Sequence, residues 1–267
     1  MFQEFLPPDL VPFPGLPLWV VAAVAAAHFL GFFIRGAFGF GSNMPIVLLA
    51  TWLLEPHHSI ILVMLTATVA QAHLLPQGLK TADWRVTGSV MPGLLVGIGL
   101  GTWVFAELEA DWLIVVMAVL IVAIVALDRL HLIERISAVL PLRSPAVVAS
   151  LAATGATAGT ISGGGTVYFL VVYFRLVCAT PLALRGTSIA VSGVFILLRV
   201  AGIALAGLIT PSVLVEAALL IPVIFLGTWS GTRAFHSSSS EGFYRALQVL
   251  LLVAAIALMG RGLARLF

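Results

Sequence analysis

The chain has 267 residues, of which 61% are hydrophobic and only 9% are charged, and its mean hydropathy is +1.16. Soluble domains usually carry about 25% charged residues, so this composition excludes a water-soluble globular domain and predicts one membrane domain over residues 1–267. The net charge of +2 comes from thirteen basic residues scattered between apolar runs, which is not the pattern of a nucleic-acid-binding surface.

The first half opens with two apolar segments that flank a glycine-rich break. The runs 17–34 and 43–54 surround RGAFGFGSNM at 35–44, and the second run is shorter than the roughly 20 residues of a full helical span. We therefore interpret 17–54 as a helical hairpin that either crosses the membrane thinly or dips in and returns. Non-helical backbone at such a depth needs protein or a cavity around it. Three ordinary spans follow at 59–75, 86–106 and 112–127.

The second half repeats this organisation. A second hairpin is predicted over 146–177 around the glycine-rich break AGTISGGGTV, and three spans follow at 182–208, 212–232 and 243–260. Because each hairpin contributes an even number of crossings, three further spans would invert the second half relative to the first. The sequence thus predicts an all-α integral membrane protein with two inverted-topology repeats, 17–127 and 146–262, joined by a loop at 128–145.

A short motif supports the repeat. The pattern PxxxxGxxxGT occurs twice, 130 residues apart. Its fixed positions are Pro92, Gly97, Gly101 and Thr102 in the first copy and Pro222, Gly227, Gly231 and Thr232 in the second. A GxxxG step lets another helix approach closely, and we expect both copies to pack the halves together, with dimerisation as the alternative. Broken apolar helices in two repeated halves are typical of secondary transporters, whose site lies between the halves.

Loop charges predict the orientation. Basic residues concentrate in loops 76–85, 128–145 and 233–242, which fall on one side of this topology, whereas the acidic loop 107–111 falls opposite. The basic side is expected to be cytoplasmic, so loop 128–145 is cytoplasmic and both termini are outside. The basic residues at the C-terminus, Arg261 and Arg265, oppose this orientation.

The two glycine-rich breaks are the first candidate substrate site. Glycine lets another backbone or a ligand approach closely, and the helix after each break presents free N–H groups and the positive end of its dipole. Two such ends that meet at mid-membrane would bind an anion; the alternative is that these glycines only let helices pack. The candidate residues are Gly39, Gly41, Ser42, Asn43, Ser162, Gly163, Gly164, Gly165 and Thr166.

Two arginines extend this candidate site. Arg199 lies in a 27-residue apolar run, 182–208, that contains no acidic residue. An arginine near the bilayer centre costs about 2.5–3.5 kcal/mol on insertion scales, so a bound anion or backbone carbonyls must compensate for its burial. Arg35 adjoins the first break and is a second candidate contact. Thr187 and Ser188, which follow Arg-Gly in LRGTS, complete the predicted substrate-binding set.

Other classes of function find less support in the sequence. His57 and His58 would supply two metal ligands, but no third or fourth ligand is spaced to complete a site, so we expect neither a metal nor a cofactor. The chain has no HExxH, no GxSxG, no P-loop and no paired carboxylates within spans, so we expect a transporter rather than an enzyme or an ATPase. Glu216 is the one acidic residue inside an apolar run, and it leaves a cation transporter as an alternative.

Several motifs together suggest a family: GAFGFGSNM in the first half, GTISGGGT and TPLALRGTS in the second, and the PxxxxGxxxG pair. They resemble the motifs of the sulfite exporter TauE/SafE family of bacterial membrane permeases. The resemblance covers about 17–260. It implies a transporter, expected to be an exporter, of a small sulfur-containing anion, such as sulfite or an organosulfonate, across the bacterial inner membrane. From the two repeated halves we expect alternating access around a site at the membrane midplane. Cation-coupled transport of another small anion or organic acid is the alternative. The expected partners are the anionic substrate, the lipid bilayer and, in a homodimer, a second copy of the chain.

Overall fold

The described part of the chain is helical. The computed structural model describes residues 7, 10–38, 42–129, 141, 144–163, 167–235, 256 and 260. The helices of the first half are α1 Leu18–Phe38, α2 Asn43–Ala50, α3 Pro56–Thr81, α4 Trp84–Glu107 and α5 Ala110–Arg129. Those of the second half are α6 Pro145–Ser162, α7 Val167–Val177, α8 Pro181–Leu205, α9 Pro211–Leu219 and α10 Ile221–Phe235. Since these ranges contain no strand, the predicted all-α class is confirmed.

Several helices are long and apolar enough to cross a membrane. Within the described ranges these are Leu18–Gly36 in α1, Pro56–Pro76 in α3, Trp84–Glu107 in α4 and Leu182–Leu205 in α8. A fifth candidate span is the pair α9 and α10, which is bent by 42°. The predicted run 112–127 lies in α5, of which Ala110–Leu120 forms a shorter apolar helix among the residues whose side chains are described. The chain is therefore a multi-pass membrane protein; the run 243–260 falls almost wholly outside the described residues.

Side-chain caps define where four helices begin. Glu55 accepts a hydrogen bond from the amide of His58 at the start of α3, and Asp83 accepts two from amides at the start of α4. Thr180 and Thr210 cap α8 and α9 in the same way. Such caps satisfy N–H groups that the helix itself leaves without partners, so the sequence fixes these four starting points locally.

Both predicted hairpins consist of a helix, a break and a shorter helix. α2 has eight residues, which gives a length of roughly 12 Å, less than half of the roughly 30 Å hydrocarbon core. α6 ends at Gly163, whose φ of +68° lies in the left-handed region that favours glycine. The centres of the two breaks, 39–41 and 164–166, lie outside the described residues.

The halves pack on each other through the repeated glycine motif. Gly97 and Gly101 of α4 lie against Ala153 and Thr157 of α6, so closely that a Cβ on Gly97 would collide with the carbonyl oxygen of Ala153. The second copy, in α10, packs in the same way on α1, where a Cβ on Gly231 would collide with backbone atoms of Phe33. Each copy therefore contacts the first helix of the other half, and the expected role within one chain is confirmed.

The directions of these helices form a regular pattern. α4 runs parallel to α6 and α1 parallel to α10, whereas α3 and α8 run antiparallel, with Gly78 beside Ile189 and Gly186 beside Thr81. This is the arrangement expected of two halves related by a two-fold axis in the membrane plane. The inverted repeat over 17–127 and 146–262 stays a prediction, which this packing supports.

The contact between α4 and α6 can be tested with two glycines on α4. We expect Gly97→Ala to destabilise the protein by about 1–3 kcal/mol, because the new methyl group meets backbone atoms that cannot move aside. Gly99→Ala is the matched control, since a Cβ on Gly99 meets nothing within 4 Å. Thermal unfolding in detergent measures both, and equal Tm values would show that the packing does not depend on this contact.

Candidate functional site

Arg199 is fully buried where α8 passes α3, α4 and α6. Its exposed fraction is 0%. One Nη donates to the Sδ of Met64 at 2.8 Å, and the other donates to the carbonyl of Thr160 near the end of α6. The guanidinium carbon lies 5.6 Å from the centroid of the Phe105 ring. A thioether, a carbonyl and an aromatic face each carry only partial negative charge, so none of these partners neutralises the arginine.

Arg35 is buried at the end of α1. One Nη donates to the hydroxyl of Ser42 at 3.4 Å, and the other donates to the side-chain carbonyl of Gln71 on α3. The amide nitrogen of Gln71 donates in turn to the backbone carbonyl of Ile189 on α8 at 2.8 Å. Gln71, which lies on α3, therefore links Arg35 of α1 to α8.

Polar contacts connect the two arginines. The Ser42 hydroxyl donates to Asn43 Oδ1 at 2.9 Å, and Asn43 Nδ2 lies 3.8 Å from the Sδ of Met64, which also contacts Arg199. We call this set the two-arginine cluster: Arg35, Ser42, Asn43, Met64, Gln71 and Arg199. Met64, which contacts Arg199, and Gln71, which contacts Arg35, are seven residues apart on α3, a rise of roughly 10 Å. The two guanidinium groups therefore lie at different heights along α3.

The two-arginine cluster contains more hydrogen-bond donors than acceptors. Each guanidinium has five N–H donors and no acceptor, and the Nε atoms of both arginines have no partner within the described ranges. Glu216 is the one buried carboxylate among the residues the structure describes, and it bonds His58 instead. A small oxyanion would supply the missing acceptors and the missing negative charge.

The described parts of both breaks lie inside the protein. Gly163 packs where a Cβ would be 2.9 Å from Val47 of α2 and 3.2 Å from Ile60 of α3. Gly36, at the edge of the first break, packs against the backbone of Thr228 in α10. The second break thus meets the first hairpin near Thr160, the residue that accepts from Arg199. The candidates Gly39, Gly41, Gly164, Gly165 and Thr166 lie outside the described residues.

The remaining predicted site residues differ in their surroundings. Ser162 donates to the carbonyl of Ala158 in its own helix at 2.7 Å. Thr187 accepts from the amide of Asp83 at 2.9 Å, at the junction of α3 and α4, which gives it a local structural contact. The buried Ser188 hydroxyl has no partner in the described part of the chain and adjoins Ile189, which holds Gln71. Binding roles for these residues stay predictions.

The family model of the sulfite exporter TauE/SafE proteins matches residues 23–258. The chain belongs to this family. No curated protein and no solved structure matches it. TauE/SafE membership implies a membrane transporter of sulfite or a related sulfur anion, and the matched range includes every residue of the two-arginine cluster.

Sequence reasoning missed three residues at the centre of this TauE/SafE protein. Met64 and Phe105 are apolar but contact Arg199, and Gln71 contacts Arg35. Met64 and Gln71 are i and i+7 on α3 and so share a face. This spacing indicates that Met64 and Gln71 share one face of α3, but only the structure shows that this face meets α8.

A second polar cluster lies where α3 begins. His58 Nε2 lies 2.6 Å from Oε2 of Glu216, and Oε1 of Glu216 accepts from the amide of Phe13 at 2.9 Å. The neighbouring His57 contacts Glu55 at 3.1 Å and the carbonyl of Phe105 at 3.1 Å. Burial opposes the ionisation of Glu55, but hydrogen bonds from His57 and the His58 amide outweigh it and lower its pKa. Within the described ranges no three His, Cys, Asp or Glu side chains are placed to hold a metal ion.

Two cavities open elsewhere on this TauE/SafE chain. One of about 900 Å³ lies between the starts of α4 and α6 and the end of α7, with Arg85, Ser89 and Tyr173 on its wall. The other, of about 530 Å³, lies between α4 and α8 beside Thr102. Neither is lined by the two-arginine cluster, whose side chains are all buried.

The acceptor that Gln71 provides for Arg35 can be removed. A buried donor left without its acceptor costs about 1–3 kcal/mol, and more when it is charged, so we expect Gln71→Leu to lower the Tm markedly. Thr68→Val is the control on the same helix, because the Thr68 hydroxyl bonds only the carbonyl of Met64 one turn earlier. An unchanged Tm for Gln71→Leu would contradict the structural role of this contact.

Proposed function

We propose that this protein is a secondary transporter that exports a small sulfur-containing anion such as sulfite or an organosulfonate. The observation that carries the proposal is the two-arginine cluster. Within the described residues its two buried guanidinium groups contact only partial charges, and the Nε of each has no acceptor. Family membership supplies the class of substrate, and the cluster supplies a place that fits its charge. The bacterial inner membrane as location follows from the resemblance to the family.

The energy of such a site suits transport. Two unit charges 4 Å apart interact by about 4 kcal/mol at an effective dielectric constant of 20. An attraction of this size, reduced by desolvation, favours an anion over a neutral solute and still permits its release. Guanidinium groups also present paired N–H donors that match two oxygens of a sulfite or sulfonate group. The site would therefore select for charge and for oxyanion shape.

Because residues of both halves would contact the anion, its affinity would depend on how the two halves are arranged. Arg35, Ser42 and Asn43 belong to the first half, whereas Arg199 belongs to the second. An anion held by both arginines, or passed between them, binds best at one relative position of the halves, so its binding shifts the conformational equilibrium. We infer alternating access in which one inverted repeat rocks against the other, with the cluster at their interface. The cluster is complete within one chain, so this mechanism does not need a homodimer.

The proposal is tested by transport in proteoliposomes. We expect Arg199→Ala to lower the rate of sulfite or sulfonate transport at least about tenfold, which corresponds to a loss of only about 1.4 kcal/mol of anion binding. Arg175→Ala, at an exposed position on α7, is the matched control and should transport like the wild type. Unimpaired transport by Arg199→Ala would contradict the assignment of this arginine.

A built-in carboxylate should compete with the substrate. Gln71→Glu places a full negative charge beside Arg35 with almost no change of shape, so we expect a stable protein whose transport is at least about tenfold slower, again about 1.4 kcal/mol. Added sulfite should also raise the Tm of this variant less than that of the wild type, because the new carboxylate already provides a negatively charged acceptor for Arg35. Gln71→Leu separates the effect of the charge from the loss of the amide. Wild-type transport by Gln71→Glu would show that Arg35 does not serve the anion.

A further inference from the structure

Glu216 is a buried carboxylate that the anion site does not use. It lies on α9, the short first arm of the bent pair, and its exposed fraction is 0%. Its two oxygens have different partners: the Phe13 amide donates to Oε1 at 2.9 Å, and His58 Nε2 lies 2.6 Å from Oε2. The side chain of His58 is 30% exposed, so the buried carboxylate reaches solvent through a group that can itself carry a proton.

The other titratable and charged groups near this pair lie on several elements. They are Glu55, His57, His73 and Lys80 on α3 and its cap, Glu107, Glu109 and Asp111 near the turn between α4 and α5, and Arg233 at the far end of α10. Residues 10–17, which include Phe13, carry no titratable side chain. Among the described residues only His58 forms an ion pair with Glu216, while Glu55 accepts from the His58 amide and contacts His57.

The pair connects to the two-arginine cluster by two routes. His57, next to His58 in the chain, contacts Phe105 with its ring 5.0 Å from the phenyl ring, and Phe105 lies under Arg199. On the other side, α9 continues into α10, whose Thr228 packs against Gly36, the neighbour of Arg35. A change at Glu216 can thus reach each arginine through packed groups.

We propose that the His58–Glu216 pair is the binding site for a coupling proton that moves together with the anion, an inference that rests on the proposed function. The pair takes a proton from water on one side and returns it to water on the other, so only an O–H or N–H bond forms and breaks. Added positive charge favours the anion, and by linkage the bound anion favours the proton to the same extent. A protonated carboxyl group also becomes a donor, so the added proton changes which hydrogen bonds the pair can make across the contact between α9 and α3.

The experiment uses the full chain in proteoliposomes and an alkanesulfonate, whose charge does not change with pH. Exchange of external for internal sulfonate, without any gradient, measures anion transport itself. Accumulation driven by an inward proton gradient runs the carrier in the uptake direction, opposite to the proposed export, and measures coupling. We expect the wild type to do both. Glu216→Gln keeps the shape of the side chain and one acceptor oxygen for the Phe13 amide but cannot titrate, so it should exchange sulfonate while losing at least tenfold of the gradient-driven accumulation. Glu109→Gln, at an exposed position on the α4–α5 turn, should behave like the wild type.

His58→Gln provides a second variant at a less buried position and should also exchange sulfonate without responding to the gradient. If neither variant exchanges although both are monodisperse and folded, the pair belongs to the anion pathway itself and the coupling proposal is wrong. Gradient-driven accumulation by both variants at wild-type levels would also overturn the coupling proposal and leave the transport function intact. Absence of exchange in the wild type, with sulfite as well as sulfonate, would refute the transport function and the coupling with it.

Discussion

The constraint on which this structure depends is the burial of two positive charges with no carboxylate beside them. Each arginine costs about 2.5–3.5 kcal/mol at the centre of a bilayer on insertion scales, and Arg199 and Arg35 recover part of this through a carbonyl, an amide, a hydroxyl, a thioether and an aromatic ring. A neutral surrounding of this kind tolerates a guanidinium group and leaves its charge available. The cluster can therefore be buried without a carboxylate partner and still offer positive charge to the anion that we propose it binds.

Close approach of backbones is what brings these partners together. The glycines of the repeated motif let α4 lie directly on α6 and α10 on α1, and the far ends of α6 and α1 carry Thr160 and Arg35 respectively. A side chain at Gly97 or Gly231 would push these helices apart and move the groups that hold the guanidinium groups. The repeated PxxxxGxxxGT motif thus supports the two-arginine cluster indirectly, by positioning the helices that carry it.

The sequence predicts the arginines and the packing motif better than it predicts their partners. Arg199 is visible because it stands in a long apolar run without acids, and the glycine pairs are visible because their spacing repeats. Met64, Phe105 and Gln71 could not be assigned to the site from the sequence, since their role depends on which faces of α3, α4 and α8 meet. Thr187 shows the converse: its place in LRGTS favoured a substrate contact, but a hydroxyl beside the start of α4 also bonds the amide of Asp83.

The placement of the one buried carboxylate in the described structure follows from the same electrostatics. Glu216 and His58 are 158 positions apart in sequence, so only the fold reveals that they pair. If Glu216 lay beside Arg199, it would neutralise the guanidinium and an incoming anion would have to displace it. Paired instead with His58, Glu216 leaves the two-arginine cluster without an acidic partner among the described residues. Separating the acid from the arginines keeps the cluster positive, as the proposed anion binding requires, and leaves the carboxylate available for the proton coupling that we propose.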